Sequence, residues 1–529
     1  MKNKILLLCL ITTMIVAASC TKLDVKVDSQ YVATNFPVTD ADYSALLGTM
    51  YSNLSSNYAV PYWRMQELST DEAILPARDG NFDDGGQYRQ LHYHTWTFDH
   101  PNVIGIWQWG FGGINNCNRL INLTNASAAS AAGKISTIAE IRAMRALYYF
   151  FMMDLYGNVP IIDTFPVAVL PATQPRAKVF DFIENELKAI VQQLPVKLTP
   201  NNPLYYGRPT KAMVFALLEK MYLNSDIYFG KPRFNEVVTM ADSILSKNNY
   251  SLDAKYTDIF APNNGPQINE TIFAIPYDQQ IPGNQFTRFG FFYYLVQAYG
   301  FNVGLSIAMS TTPEFYNRFN LKGDIRNTTW LSGKQFAPDA NKMPDSTKPV
   351  FYPGTTTQVE ITPNLVLVPP KPMDLGNTIA SQSEGVRSMK YYPDINIIQA
   401  TRLNGNDVPV FRLADVMLMK AEAILRGAAP TIINGEAQSP DILINRIRAR
   451  AGAPLASGVN LAGLLDERAR EFSWEAWRRN DLIRFGQFEK EYPLPNDVLK
   501  MNTDITRRLY PIPSTELKLN KNLVQNPGY

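Results

Sequence analysis

The chain has 529 residues, 46% of them hydrophobic, and carries a net charge of +2 from 50 basic and 48 acidic side chains. That apolar share supplies a real core, and the even charge balance excludes the basic stripe that nucleic-acid binding needs. Aromatic residues make up 12%, with 27 Tyr and 27 Phe, a surplus that fits binding surfaces as well as cores.

The first segment reads as an export signal. Lys2 and Lys4 precede an apolar run over 5–18, then Ser19 and Cys20. A basic head, a short apolar run and small residues before a cut have this form. The run is shorter than the roughly 20 residues a membrane-spanning helix needs. Cys20, following Ala17, Ala18 and Ser19, resembles the lipid-bearing cysteine of a bacterial lipobox. The reading is a signal peptide over 1–19, a lipidated polar tether over 20–38, and one domain over 39–529. Cys9 leaves with the signal and Cys20 takes lipid, so Cys117 has no cysteine left for an intramolecular disulfide.

The stretch "RDGNFDDGGQYRQLHYHTWTFDHP", residues 78–101, holds all three histidines, His92, His94 and His100. Asp79, Asn81 and Asp83 alternate as the first oxygen ligands of a calcium loop do, so calcium is a weak alternative. Against it, Asp84 occupies the sharp-turn glycine position and Gln90 stands where a bidentate Glu belongs. His92 and His94 would share one face of a strand and, with His100 or Asp99, sketch a zinc set without cysteine. The reading preferred here is a polar loop, part of which meets a ligand.

Helical segments follow over 139–160, 208–230, 411–427, 441–452 and 464–486, each with an apolar stripe and a Gly or Pro stop. Trp107 and Trp109 lead into a helix and read as core; Trp474 and Trp477 read as structural. From 231 to 409 Gly, Pro, Asn, Thr and aromatics take over, with strand-like runs "TIFAIPY" and "NLVLVPP". So long a stretch without helices is usually functional. The fold class is therefore all-α dominated, with a loop-rich second half carrying small strand pairs.

Five stretches occur in order: "IRAMRALYYFFMMDLYGNVPII", "RPTKAMVFALLEKMYL", "FRLADVMLMKAEAI", "INRIRARAGAP" and "DERAREFSWEAWRRNDLIRFG". The chain closes with "LYPIPSTELKLNKNLVQNPGY". With the lipobox and the "LDV" after it, the chain resembles the SusD/RagB family of Bacteroidetes outer-membrane lipoproteins. The resemblance implies a bundle of four tetratricopeptide-like helix pairs; the 34-residue repeat itself is not legible in the sequence. It also implies surface capture of oligosaccharide, as the lid of a SusC-like TonB-dependent transporter, without catalysis or cofactor.

Sugar rings present apolar C–H faces and hydroxyl rims, which flat aromatics and amide, carboxylate or guanidinium groups match. Two regions carry that mixture: 78–101, and "FTRFGFFYYLVQAYG" over 286–300, with Trp330 beyond. The expected glycan contacts are Trp96, Trp330, Arg78, Tyr88, Asp83, His92, Phe292 and Tyr293. Two other classes compete. A surface glycoside hydrolase would use paired carboxylates; Asp71 with Glu72 and Asp83 with Asp84 are adjacent pairs, but neighbours in sequence rarely face each other across a substrate. An adaptor or peptide-uptake lid would bind no glycan.

Overall fold

The structure is a computed structural model that describes residues 39–127, 130–197, 203–280, 284–306, 309–340 and 342–529. The export segment, Cys20 and the tether expected over 20–38 lie outside these residues. Among the described residues no helix is long and apolar enough to cross a membrane.

Helix α1 (Asp40–Asn57) starts on a reciprocal cap: Thr39 Oγ1 accepts from Asp42 N, and the Asp42 carboxylate accepts from Thr39 N. It packs on α2 (Pro101–Ala126), which lies along α3 (Ala131–Tyr156). Pro101 at the first turn and the His100 ring on Asn102 N start α2. Helix α3 begins eight residues before the expected 139, where Ser130 caps Gly133 N; "AAGKIST" carries too little apolar signal to announce a helix. From Ala139 to Tyr156 it is buried on nearly every side, as a central helix must be, with α4 (Arg176–Ile190) against its other flank. Gly110 and Gly113 let α2 approach closely: a Cβ on Gly113 would sit 2.5 Å from the Tyr148 ring.

The expected 208–230 helix is two, α5 (Lys211–Leu223) and a short turn of helix at Ser225–Phe229, separated by Asn224 and closed by Gly230 at φ 72. Helix α6 (Phe234–Leu245) pairs with α5, which corrects the expectation of a helix-free stretch from 231. Its stripe of Val237, Val238, Ala241 and Ile244 has helical spacing, masked in sequence by the polar residues around it. Helices α7 (Leu413–Leu425) and α8 (Pro440–Ala451) form the next pair, with α6 and α9 (Leu461–Phe472) against α7.

The expected 464–486 helix breaks. Trp474 and Ala476 both have φ 65, and α10 (Arg478–Arg484) starts afresh. The break lets Trp474 N donate to the Glu72 carboxylate and turns Glu475 onto Lys390 and Arg412. These belong to a buried ion network. Arg412 Nη1 meets Glu270 at 2.9 Å and Glu471 at 2.6 Å, and Arg326 meets Asp324, Glu467 and Glu471. The network ties the loop-rich half to α9.

That half is closed at its ends by β1 (Thr271–Ile275) pairing antiparallel with β2 (Val408–Arg412). "TIFAIPY" thus forms the expected strand, but "NLVLVPP" does not: Leu367 N donates to Pro495 O and Asn496 Nδ2 donates to Leu367 O, outside any ladder. Small antiparallel pairs join Trp330–Leu331 to Arg387–Ser388, Gly333–Lys334 to Glu360–Ile361, and Phe336–Pro338 to Pro344–Pro349. They surround a second hydrophobic cluster that includes Phe291, Phe292, Tyr299 and Tyr352.

Candidate functional site

The 78–101 stretch is more ordered than a polar loop. Gln87–His92 is a helix, and the three histidines are buried scaffold groups. The His94 ring bonds Ser69 O at 2.8 Å, His100 bonds Gln87 O at 2.9 Å, and His92 stands edge-on to Tyr93. Burial pushes His92 down to about 4 and His94 to about 3, so both rings are neutral near pH 7. His92 lies on a helix and His94 in a left-handed turn at φ 54, so the shared strand face that a zinc set needs is not formed. The calcium alternative is corrected too. Asp79 pairs with Lys371, Asn81 Nδ2 donates to Arg78 O, and Asp83 pairs with Arg89. Among the described residues no three His, Cys, Asp or Glu side chains gather closely enough to hold a metal.

Several expected glycan contacts are interior. Trp96 is 1% exposed; its ring lies 4.5 Å from Tyr510 and 5.1 Å from His94, and Nε1 donates to Tyr529 Oη at 2.6 Å. It has no face to offer a sugar in this conformation. Phe292 is fully buried in the second core cluster. Arg78 is buried and donates to Ser381 O and Glu384 O, and Tyr88 and His92 are buried as well. Trp330 is 6% exposed and packs on Phe319 and Trp474, with no partner for Nε1; it borders a cavity of about 650 Å³ rimmed by Tyr299, Phe336, Lys342 and Tyr392. Asp83 remains partly exposed, and Tyr293 is 44% exposed. Trp107 and Trp109 are buried on α2, and Trp474 and Trp477 are buried at the break before α10.

The two aromatic regions nonetheless come together. The Arg64 guanidinium carbon lies 4.9 Å from the Tyr88 ring and 5.0 Å from the Phe289 ring, bridging the 78–92 and 286–294 segments. A third segment, 371–384, locks onto both. Asp374 accepts from Asp79 N and Gly80 N at 2.8 and 2.9 Å, and Tyr294 Oη donates to Gln382 Oε1 at 2.6 Å. The exposed Tyr293 ring lies 4.5 Å from that of Tyr294. Sequence alone does not single out Arg64, Arg288, Phe289 or Tyr294; the available signal for the last three is one Arg among the aromatics of "FTRFGFFYY".

The adjacent acidic pairs fall in different settings. Asp71 is buried against Arg478 at 2.7 Å, with Arg318 at 3.2 Å. Glu72 is buried, and burial raises it to about 8. Asp83 pairs with Arg89, and Asp84 is exposed.

Comparison with known proteins follows this geometry. The SusD family model matches residues 240–529, and a model described as starch-binding, associating with outer membrane, matches 22–223. The starch-binding protein SusD of Bacteroides thetaiotaomicron is 38% identical over 104 residues, which are 20% of this chain and only 17% of that protein. Three solved structures share the fold. The surface glycan-binding protein A of B. thetaiotaomicron, in complex with laminarihexaose, has 21% identity and a TM-score of 0.71, covering 92% of this chain and 100% of that one. A SusD superfamily protein of Parabacteroides distasonis has 21% identity and a TM-score of 0.69, covering 93% and 100%. Surface glycan-binding protein A of Bacteroides uniformis has 19% identity and a TM-score of 0.71, covering 92% and 99%. With its second half and more matched by the family model, and its helices and strand pairs laid out as in these structures, the chain belongs to the SusD family.

Proposed function

We propose that the protein is a cell-surface glycan-binding lipoprotein of the outer membrane, held by lipid on Cys20, that captures oligosaccharide for a SusC-like TonB-dependent transporter without acting on it chemically. One observation carries the reading: the 78–92 and 286–294 segments, remote in sequence, meet at Arg64, and the second of them carries the exposed Tyr293 beside Tyr294. Membership of the SusD family and the glycan partners named for its relatives support the same reading. The burial of Asp71 and Glu72 speaks for binding rather than hydrolysis.

Affinity electrophoresis and calorimetry of the mature protein on a polysaccharide panel test it. Tyr293→Ala is expected to weaken the bound glycan by about tenfold, the upper range for one aromatic contact. Binding to no glycan, or product release lost on a carboxylate substitution, overturns the reading. Cys20→Ala is expected to release the protein from membranes, and co-purification of a barrel tests the partner.

A further inference from the structure

Arg64, Arg288 and Arg402 lie at this face and form no ion pair among the described residues, unlike the arginines of the buried ion network. Arg326, Arg412, Arg468 and Arg484 each face two or more carboxylates. Arg64 is half-buried between Tyr88 and Phe289, and its side chain makes no hydrogen bond or ion pair among the described residues. Arg288 holds its guanidinium carbon 4.8 Å from that same Phe289 ring. Its one side-chain bond is a long one to Gln285 Oε1, at 3.3 Å, and Nε has none. Arg402 is half-buried and likewise without a carboxylate among the described residues. Its loop is fastened beside Arg288: Asn404 N donates to Asn284 O at 2.9 Å, and Asn404 Nδ2 bonds Thr287 Oγ1.

Arg64 and Arg288 share the Phe289 ring, and the charge of Arg402 also reaches Arg288. Burial first, then the charges of Arg402 and Arg64, lower the affinity of Arg288 for its proton. Burial lowers Arg64, with the Tyr88 and Asp84 charges acting against it, while Asp83 and Asp79 pair with Arg89 and Lys371. Like charges held together without counter-ions cost stability unless an anion completes the set. Guanidinium forks match the two oxygens of a carboxylate or sulfate, and such charge-assisted bonds are roughly twice as strong as neutral ones. A neutral sugar hydroxyl accepts one bond and relieves no repulsion.

We infer that the face selects acidic glycans, with a uronate carboxylate or a sulfate ester of the sugar seated among Arg64, Arg288 and Arg402. This rests on the glycan-binding reading and names its substrate class.

The test uses the mature protein and matched ligands that differ only in charge: oligogalacturonate against its carboxyl-reduced form, and chondroitin sulfate against its desulfated form. Calorimetry is expected to show at least one charged ligand bound about tenfold more tightly than its neutralised partner, with affinity falling as salt rises. The arm that binds distinguishes carboxylate from sulfate. Arg402→Gln and Arg288→Gln are each expected to lose about tenfold for that ligand, with Arg402→Lys retaining part of it and circular dichroism confirming the fold. Equal affinity for charged and neutralised ligands, or unchanged affinity in both glutamine variants, overturns the inference. If neutral glucans bind, with loss on Tyr293→Ala, while charged glycans do not, the acidic class falls and glycan binding stands. If no glycan binds, both fall.

Discussion

Replacing Trp96 with alanine removes an indole that is 1% exposed and wedged between His94 and Tyr510. Truncating a fully buried Trp costs about 3–5 kcal/mol, the spread reflecting how far the site collapses. Collapse is limited here, because the flanking rings are themselves fixed: His94 bonds Ser69 O, and Tyr510 Oη donates to Met65 O at 2.7 Å. The bond from Nε1 to Tyr529 also goes, at about 1 kcal/mol, though Tyr529 Oη keeps its bond to Leu509 O at 2.7 Å. The expected loss is therefore about 4 kcal/mol, a large part of the roughly 5–15 kcal/mol that a folded protein has. Urea unfolding of the mature protein, followed by far-ultraviolet circular dichroism, should show the midpoint falling steeply. Glycan affinity, measured well below that midpoint, should be unchanged. Tyr293→Ala is the counterpart: at 44% exposure it should stay within about 0.5 kcal/mol of the parent and lose affinity instead. A Trp96→Ala protein as stable as its parent but unable to bind glycan would refute this reasoning and return Trp96 to the ligand.

Gly113→Ala should destabilise by about 1–2 kcal/mol, since the added methyl meets the Tyr148 ring, which is bonded to Asn53 and Met50 O, and overpacking outweighs the helix-propensity gain. Gly105→Ala on the same helix has open space, so it should hold or raise stability; urea midpoints of the pair decide it. Arg412→Met removes one cation from each of Glu270, Glu471 and Glu475, which keep Arg450, Arg326 and Lys390, and should cost about 3 kcal/mol. Adding Glu475→Gln should recover part of that loss, and strict additivity in the double-mutant cycle would contradict the network. His92 is held at about 4 in the fold against an ordinary 6.5, so the unfolded chain binds more protons across that window. Stability should thus decline as pH falls from about 6.5 to 4, by about 3 kcal/mol from this ring. His92→Gln should flatten the decline; an identical pH profile would place the acid sensitivity elsewhere.

The sequence was sufficient where a feature is set by neighbours along the chain. Apolar spacing with Pro and Gly stops announced the helical body, and a brief strand-like apolar run announced the strand at Thr271–Ile275. Its failures share a cause: distant partners overrode local preference. The 464–486 segment has helical periodicity throughout, yet Glu72, Lys390 and Arg412 hold Trp474 and Glu475 in a break that local propensity resists. Aromatic composition picked out the two regions of the candidate face but not which rings are exposed. Trp96 and Tyr293 look equally suited in sequence, and only packing puts one beneath Tyr510 and leaves the other open. Arg64, Arg288 and Arg402 are scattered over more than 300 residues of sequence. Their charges become one site only because Phe289 and the fastened 398–406 loop bring them together, a proximity that exists in the folded chain alone.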